Sequence, residues 1–135
     1  MKLSRAAIYA VVAMLVVGAV GAGIATAHKK KFKSTVTIAW HDNDDPYYEE
    51  GDHFDGDVDS KKKKCRKNRK VTVKRVGGGV VGKDQTNNQG HYVVQVGGEA
   101  APGDYFAKVK KKKIKKNKNH KHVCKKAKSN TISVP

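Results

Sequence analysis

Apolar residues are scarce in this chain. They make up 38% of its 135 residues, against about 45–50% in ordinary soluble domains. At this length one domain with a small core is expected, since domains run to about 100–150 residues. A multidomain enzyme and an α/β barrel are excluded. Acidic residues are scarce as well: 12 Asp and Glu stand against 29 Lys and Arg, a formal net charge of +17. Nine of those 12 acids lie within residues 42–59. The serines are Ser4, Ser34, Ser60, Ser129 and Ser133, and none has the context of a nucleophile elbow. Beyond residue 27 no stretch carries an i, i+3, i+4, i+7 apolar stripe, so no amphipathic helix is expected. Beyond Phe106 there is neither an aromatic side chain nor an arginine.

What is present begins with an address. Lys2 and Arg5 precede 22 uncharged residues, 6–27, which end Ala25-Thr26-Ala27. A positive start, an apolar run and a small-x-small end form the pattern of a secretory signal peptide. Cleavage after Ala27 is expected, with a secreted or cell-surface product and no membrane span left. The alternative is an uncleaved membrane anchor, since 22 uncharged residues are long enough to span a bilayer. Only two basic residues precede His28, so the remainder keeps a net charge of +15.

Behind the address the pattern has period 2. Val36, Ile38 and Trp40 alternate with small or polar residues, as do Phe54, Gly56 and Val58 with Asp55, Asp57 and Asp59. Val71 and Val73, then Tyr92, Val94 and Val96, then Tyr105, Ala107 and Val109, then Ile132 and Val134 repeat it. Alternation means strands with one buried and one wet face. Glycine supplies the breaks, at Gly51, Gly77-Gly78-Gly79, Gly90, Gly97-Gly98 and Gly103. The fold class expected is all-β: a small antiparallel Greek-key sandwich of six or seven strands. Residues 28–53 would form an N-terminal strand and acidic loop, and 54–135 the sandwich. The lysines near 110–122 are expected in a protruding loop or strand end, because their mutual repulsion opposes compact packing.

Cys65 and Cys124 both follow the signal and both sit among basic residues. Export permits oxidation, and neighbouring cations favour the thiolate that forms a bridge. A Cys65–Cys124 disulfide is expected, worth on the order of 4 kcal/mol by chain entropy. A zinc site or a catalytic cysteine is the rival reading.

Two motifs carry a resemblance. Thr86-Asn87-Asn88-Gln89-Gly90-His91-Tyr92, followed about ten residues on by Pro102-Gly103-Asp104-Tyr105, resembles the carboxypeptidase regulatory-like domains of the transthyretin-like sandwiches. Phe54-Asp55-Gly56-Asp57-Val58 is similar to their first strand, and Val71-Thr72-Val73 to their second. The resemblance covers roughly 54–110. It implies an exported, noncatalytic sandwich module in which Gly90 and Gly103 turn the chain and Tyr92 and Tyr105 enter the core. The lysine-loaded segment 61–70 and the cysteine pair depart from the family pattern.

Chemistry candidates are few. Gly77-Gly78-Gly79-Val80-Val81-Gly82-Lys83-Asp84 approaches a P-loop, but Asp84 stands where a hydroxyl should hold magnesium, and no helix follows. A glycine turn between strands is the expectation there. Asp55, Asp57 and Asp59 open like an EF-hand, yet Ser60 and Arg66 occupy its Gly and Glu positions. Asp42, Asp44 and Asp45, with Glu49, Glu50 and Asp52, leave open a looser calcium site of oxygen ligands. Carboxylate pairs in this loop lack any spacing that would mark a glycosidase. His120, His122 and Cys124 could share one face of a strand, and His28 would become an N-terminal histidine able to chelate copper. Lysines crowd both sites and oppose a cation. No cofactor and no enzymatic activity are expected.

The basic blocks remain. Residues 61–70 hold eight basic side chains and 108–128 hold twelve lysines. Lysine tracts attract polyanions by counterion release. The 108–128 tract has no aromatics for stacking and no arginines for base edges, and with export nucleic acid is not the expected partner in vivo. Without an apolar face, the tracts would not insert into a bilayer. An anionic cell-envelope polymer or polysaccharide is expected, held through Lys61, Lys62, Lys63, Lys64, Arg66 and Lys67 and through the 108–128 tract. In that tract the foremost residues are Lys110, Lys111, Lys112, Lys113, Lys115 and Lys116. A structural exported domain with no specific ligand is the alternative.

Overall fold

The computed structural model describes residues 28–42, 51–117 and 120–135. These residues form twelve strands and one 3-10 turn, Lys63–Cys65. The strands are β1 His28–Phe32, β2 Thr35–Val36, β3 Ala39–His41, β4 His53–Asp59, β5 Lys70–Arg75, β6 Val80–Gln85, β7 His91–Gln95, β8 Gly103–Val109, β9 Lys112–Asn117, β10 His120–Cys124, β11 Ala127–Lys128 and β12 Ile132–Val134. The fold is all-β, as the alternation predicts, but with more strands than six or seven.

The extra strands have identifiable origins. The expected strand around 36–40 divides into β2 and β3, which pair with different parts of β4. Between them Thr37 N–H bonds Asp57 O at 3.0 Å, and Thr37 Oγ1 accepts from Asp57 N–H at 2.8 Å. The described part of the lysine tract is mostly strand, where a loop or strand end is expected. It folds into β9 and β10, antiparallel to one another, and β1 joins β10 in parallel. An extended strand is a low-repulsion way to order lysines: successive side chains go to opposite faces, and those on one face stand about 7 Å apart.

Two sheets make the sandwich. In the first, β4 is flanked by β7 on one side and by β2 and β3 on the other. In the second, the order is β6-β5-β8, with β11 and β12 both on the outer side of β8. The inward positions of both sheets meet. Phe54, Val58, Tyr92 and Val94 face Val71, Val73, Tyr105, Ala107 and Val109, with Val36, Ile38 and Val134 closing the cluster. The Phe54 and Tyr105 rings stand 4.7 Å apart between centroids. Each fully buried side chain of this kind contributes about 1.5–3 kcal/mol.

The turn residues behave as their chemistry requires. Gly90 has φ +106°, a region that side chains with a Cβ rarely enter. Asn87 Oδ1 accepts the N–H groups of Gln89, Gly90 and His91 at 2.9, 3.0 and 3.0 Å. Tyr92 follows into the core, and its hydroxyl donates to Thr37 O at 2.6 Å. Tyr105 is also buried and donates to Ala101 O. Gly77 to Gly79 form the β5–β6 turn. Lys83 and Asp84 then lie on β6, where Asp84 Oδ2 accepts Val93 N–H at 2.8 Å. The carboxylate thus ties β6 to β7 across the open side of the sandwich and is no part of a phosphate cradle.

Cys65 and Cys124 are bridged, with Cα atoms 5.4 Å apart. Beside the bridge lies Arg69, 1% exposed. Its Nη1 donates to Cys65 O at 2.6 Å and Ser34 Oγ at 3.0 Å. Its Nη2 donates to Lys110 O at 2.8 Å and Lys125 O at 2.9 Å. One guanidinium therefore fastens the turn before β5 and all three connections between ribbon and sandwich, β1 to β2, β8 to β9 and β10 to β11. Burial pushes its pKa down, yet arginine keeps its proton in proteins.

Candidate functional site

The outer face of the second sheet is built by alternation. Val71 and Val73 point inward on β5, so Lys70, Thr72 and Lys74 point out. On β8, Tyr105, Ala107 and Val109 point inward, so Asp104, Phe106 and Lys108 point out. Register then sets a row: Lys83 opposite Thr72, Thr72 opposite Lys108, Lys108 opposite Lys128. Lys74 lies opposite Phe106. The result is a broad open groove of about 910 Å³ lined by Lys74, Lys83, Lys108, Lys110, Lys111, Lys126 and Lys128, with Thr72, Val80, Val109 and Ala127.

No carboxylate lines that groove. Among the described residues, no lysine lies within 4.0 Å of a carboxylate oxygen; the ion pairs use Arg66 and histidines. Among the described residues the groove lysines thus have no carboxylate partner. Lys128 Nζ sits 4.1 Å and Lys108 Nζ 5.4 Å from the Phe106 ring centroid. Each such contact is worth about 0.5–1 kcal/mol at an exposed site, enough to favour two ammonium groups standing together over the sheet. Thr72 faces outward yet is only 8% exposed, which fits lysine stems lying over it.

The opposite sheet carries three carboxylates in a row. Asp55, Asp57 and Asp59 alternate outward on β4. They are partnered by histidine and arginine: His41 Nε2 lies 3.2 Å from Asp55 Oδ1, His91 Nδ1 3.2 Å from Asp57 Oδ1, and Arg66 Nε 2.9 Å from Asp59 Oδ1. These three acids thus lie on the sheet opposite the lysine groove. No family model, curated protein or solved structure matches this chain.

The predicted basic residues separate into groups. Lys61 to Lys64 lie on the turn between β4 and β5, away from the groove; Lys61, Lys63 and Lys64 are exposed and Lys62 half-buried. Arg66 is engaged by Asp59 and by Ser60 O at 2.9 Å. Lys67 is half-buried, and its carbonyl accepts Lys112 Nζ at 2.8 Å. Lys112 is thereby turned inward, its pKa lowered by burial and by nearby Arg69 and Lys67. Lys110 and Lys111 line the groove. Lys113 belongs to a second depression, described below, and Lys115 is exposed on β9. The side chain of Lys116 lies outside the described residues. Lys74 and Lys83, absent from the predicted set, belong to the groove; period-2 alternation on β5 was the available signal for Lys74.

The metal candidates fare differently. Asp44 and Asp45 lie outside the described residues, and Asp42 is exposed. Asp52 is buried, its Oδ2 accepting Ala100 N–H at 2.7 Å and Trp40 Nε1–H at 3.3 Å. Cys124 is committed to the disulfide, His122 packs edge-on against Phe32, and His28 lies edge-on to His120 at 6.0 Å. Among the described residues no group of three His, Cys, Asp or Glu is placed to hold a metal.

Proposed function

We infer that this chain is an exported, noncatalytic sandwich module that holds anionic cell-envelope or extracellular polymers electrostatically. The observation that carries the reading is the groove on the β6-β5-β8-β11 face, lined by seven lysines and no carboxylate. Export rests on the n-region, the apolar run and the A-x-A end of the first 27 residues, and the disulfide fits an oxidising compartment. Among the described residues no helix is long and apolar enough to cross a membrane. The turn at Gly90, the positive φ of Gly103 at the start of β8 and the buried tyrosines favour the resemblance to carboxypeptidase regulatory-like domains, which are usually noncatalytic appendages.

Lysine acts as a strongly hydrated point charge without the planar fork of arginine. Charge density, and not sequence or ring stereochemistry, therefore sets selectivity. Titration of the protein with heparin between 50 and 300 mM salt tests this, with uncharged dextran as control. Engagement of about six anionic groups gives a slope of log affinity against log salt on the order of −4 to −5. Affinity that does not change with salt, or equal affinity for dextran, overturns it.

A further inference from the structure

A second depression, of about 540 Å³, lies on the ribbon between β1 and β9. Register explains it. Lys31 is opposite Val123, and Val123 is opposite Lys113; one step along, Lys29 is opposite Lys121 and Lys121 opposite Lys115. These side chains share one face of the three-stranded ribbon. Val123, in their midst, is only 6% exposed. As in the sandwich groove, no carboxylate lines the depression.

Lys111 and Lys126 line both depressions. They sit in two of the three connections, β8 to β9 and β10 to β11, that carry the chain between sandwich and ribbon. Both connections are fixed in place. Lys110 O and Lys125 O accept the same Arg69 Nη2, Lys110 N–H donates to Lys70 O at 3.0 Å, and Lys125 N–H to Phe32 O at 2.8 Å. The disulfide anchors the residue before Lys125. The relation between the two lysine fields is thus built into the fold and does not have to be assembled on binding.

We propose that groove and ribbon form one continuous track for a single linear, flexible polyanion, which crosses from one to the other over Lys111 and Lys126. This rests on the polyanion reading above and specifies the form of the ligand. From Lys74 along β5 to Lys70, and from Lys111 along β9 to Lys115, the path spans roughly 25 Å at about 3.3 Å per residue. A concave groove receives a chain; a planar anionic membrane would meet its rims. Both sulfated or uronic polysaccharides and polyphosphates have the required chemistry.

The test titrates the protein with size-defined heparin fragments and, in parallel, with inorganic polyphosphate of defined length. Affinity is expected to rise with length until the polymer spans about 25 Å and then level, at one long polymer per protein. The arm with the higher plateau identifies the anion class. Two remote variants separate the sites: Lys83→Gln/Lys128→Gln in the groove and Lys29→Gln/Lys31→Gln on the ribbon. Each pair is expected to weaken the long polymer by about 10-fold or more, since every released counterion carries its own salt-dependent share. A long polymer indifferent to the ribbon pair, or affinity that does not change with length, overturns the track and leaves the groove reading standing. Tighter binding to vesicles of phosphatidylserine and phosphatidylcholine than to long polymer also overturns it. No binding at any length overturns both the track and the polyanion reading beneath it.

Discussion

Replacing Arg69 with methionine isolates the joint between ribbon and sandwich. The guanidinium makes four hydrogen bonds, three of them to the carbonyls of Cys65, Lys110 and Lys125. Hydrogen bonds from a charged donor contribute about 1.5–3 kcal/mol each, and a buried carbonyl left without a donor costs about 1–3 kcal/mol. Against this, methionine returns the desolvation of a buried cation, several kcal/mol. It also removes an Nε that is buried without a hydrogen-bond partner. The balance is a loss of about 3–5 kcal/mol, the cost of three carbonyls left without their donor less the desolvation returned. Domains are stable by only about 5–15 kcal/mol, so the loss is a large share of the total. Urea unfolding followed by the single tryptophan, Trp40, measures it from the first sheet, 29 residues away in sequence. Amide exchange in β1 and β10 measures the ribbon directly and is expected to accelerate. Arg69→Lys keeps the charge but not the fork, and should recover less than half of the loss. A loss under about 1 kcal/mol with ribbon amides protected as before would refute the reasoning.

Two further outcomes follow from the same packing. The native protein should show no reactive thiol before reduction, and Cys65→Ala/Cys124→Ala should lose about 4 kcal/mol for a closed loop of 59 residues' separation; two labelled thiols in the unreduced protein would contradict the bridge. Tyr92 has its pKa raised well above the usual phenol value by burial and by the charges of Asp55 and Asp57. The folded state therefore binds the phenolic proton more tightly than the unfolded one, so stability is constant below about pH 10 and falls above it by up to about 1.4 kcal/mol per pH unit. Urea midpoints between pH 9 and 11.5 show this, and Tyr92→Phe should lessen the alkaline fall while costing about 1 kcal/mol below it, for the lost bond to Thr37 O. An undiminished fall in Tyr92→Phe would place its cause elsewhere.

Much of the fold was legible because the sandwich obeys a local rule. Period-2 alternation on β4, β5, β7 and β8 names their buried residues directly, and Gly90 marks a turn by its conformational range alone. The disulfide was legible from two cysteines set among basic residues. The ribbon was not, because β1, β9 and β10 have almost no apolar side chains to alternate. Their pairing is set by ladder hydrogen bonds, the bridge and Arg69, and the latter two join residues far apart in sequence. Arg69 itself looks in sequence like one more basic residue among eight. For the site, counting lysines along the chain weighted 61–64 and Lys112, whereas the sheet gathers Lys74, Lys83, Lys108 and Lys128 from four strands. That juxtaposition depends on strand order, which no single segment encodes.

Lysine acylation footprinting of the heparin complex reads the central claim residue by residue. A groove-bound polyanion should protect Lys74, Lys83, Lys108, Lys111, Lys126 and Lys128 several-fold relative to the free protein, and leave Lys61, Lys63 and Lys64 as reactive as before. Protection centred on Lys61 to Lys64, or spread evenly over all lysines, would contradict it.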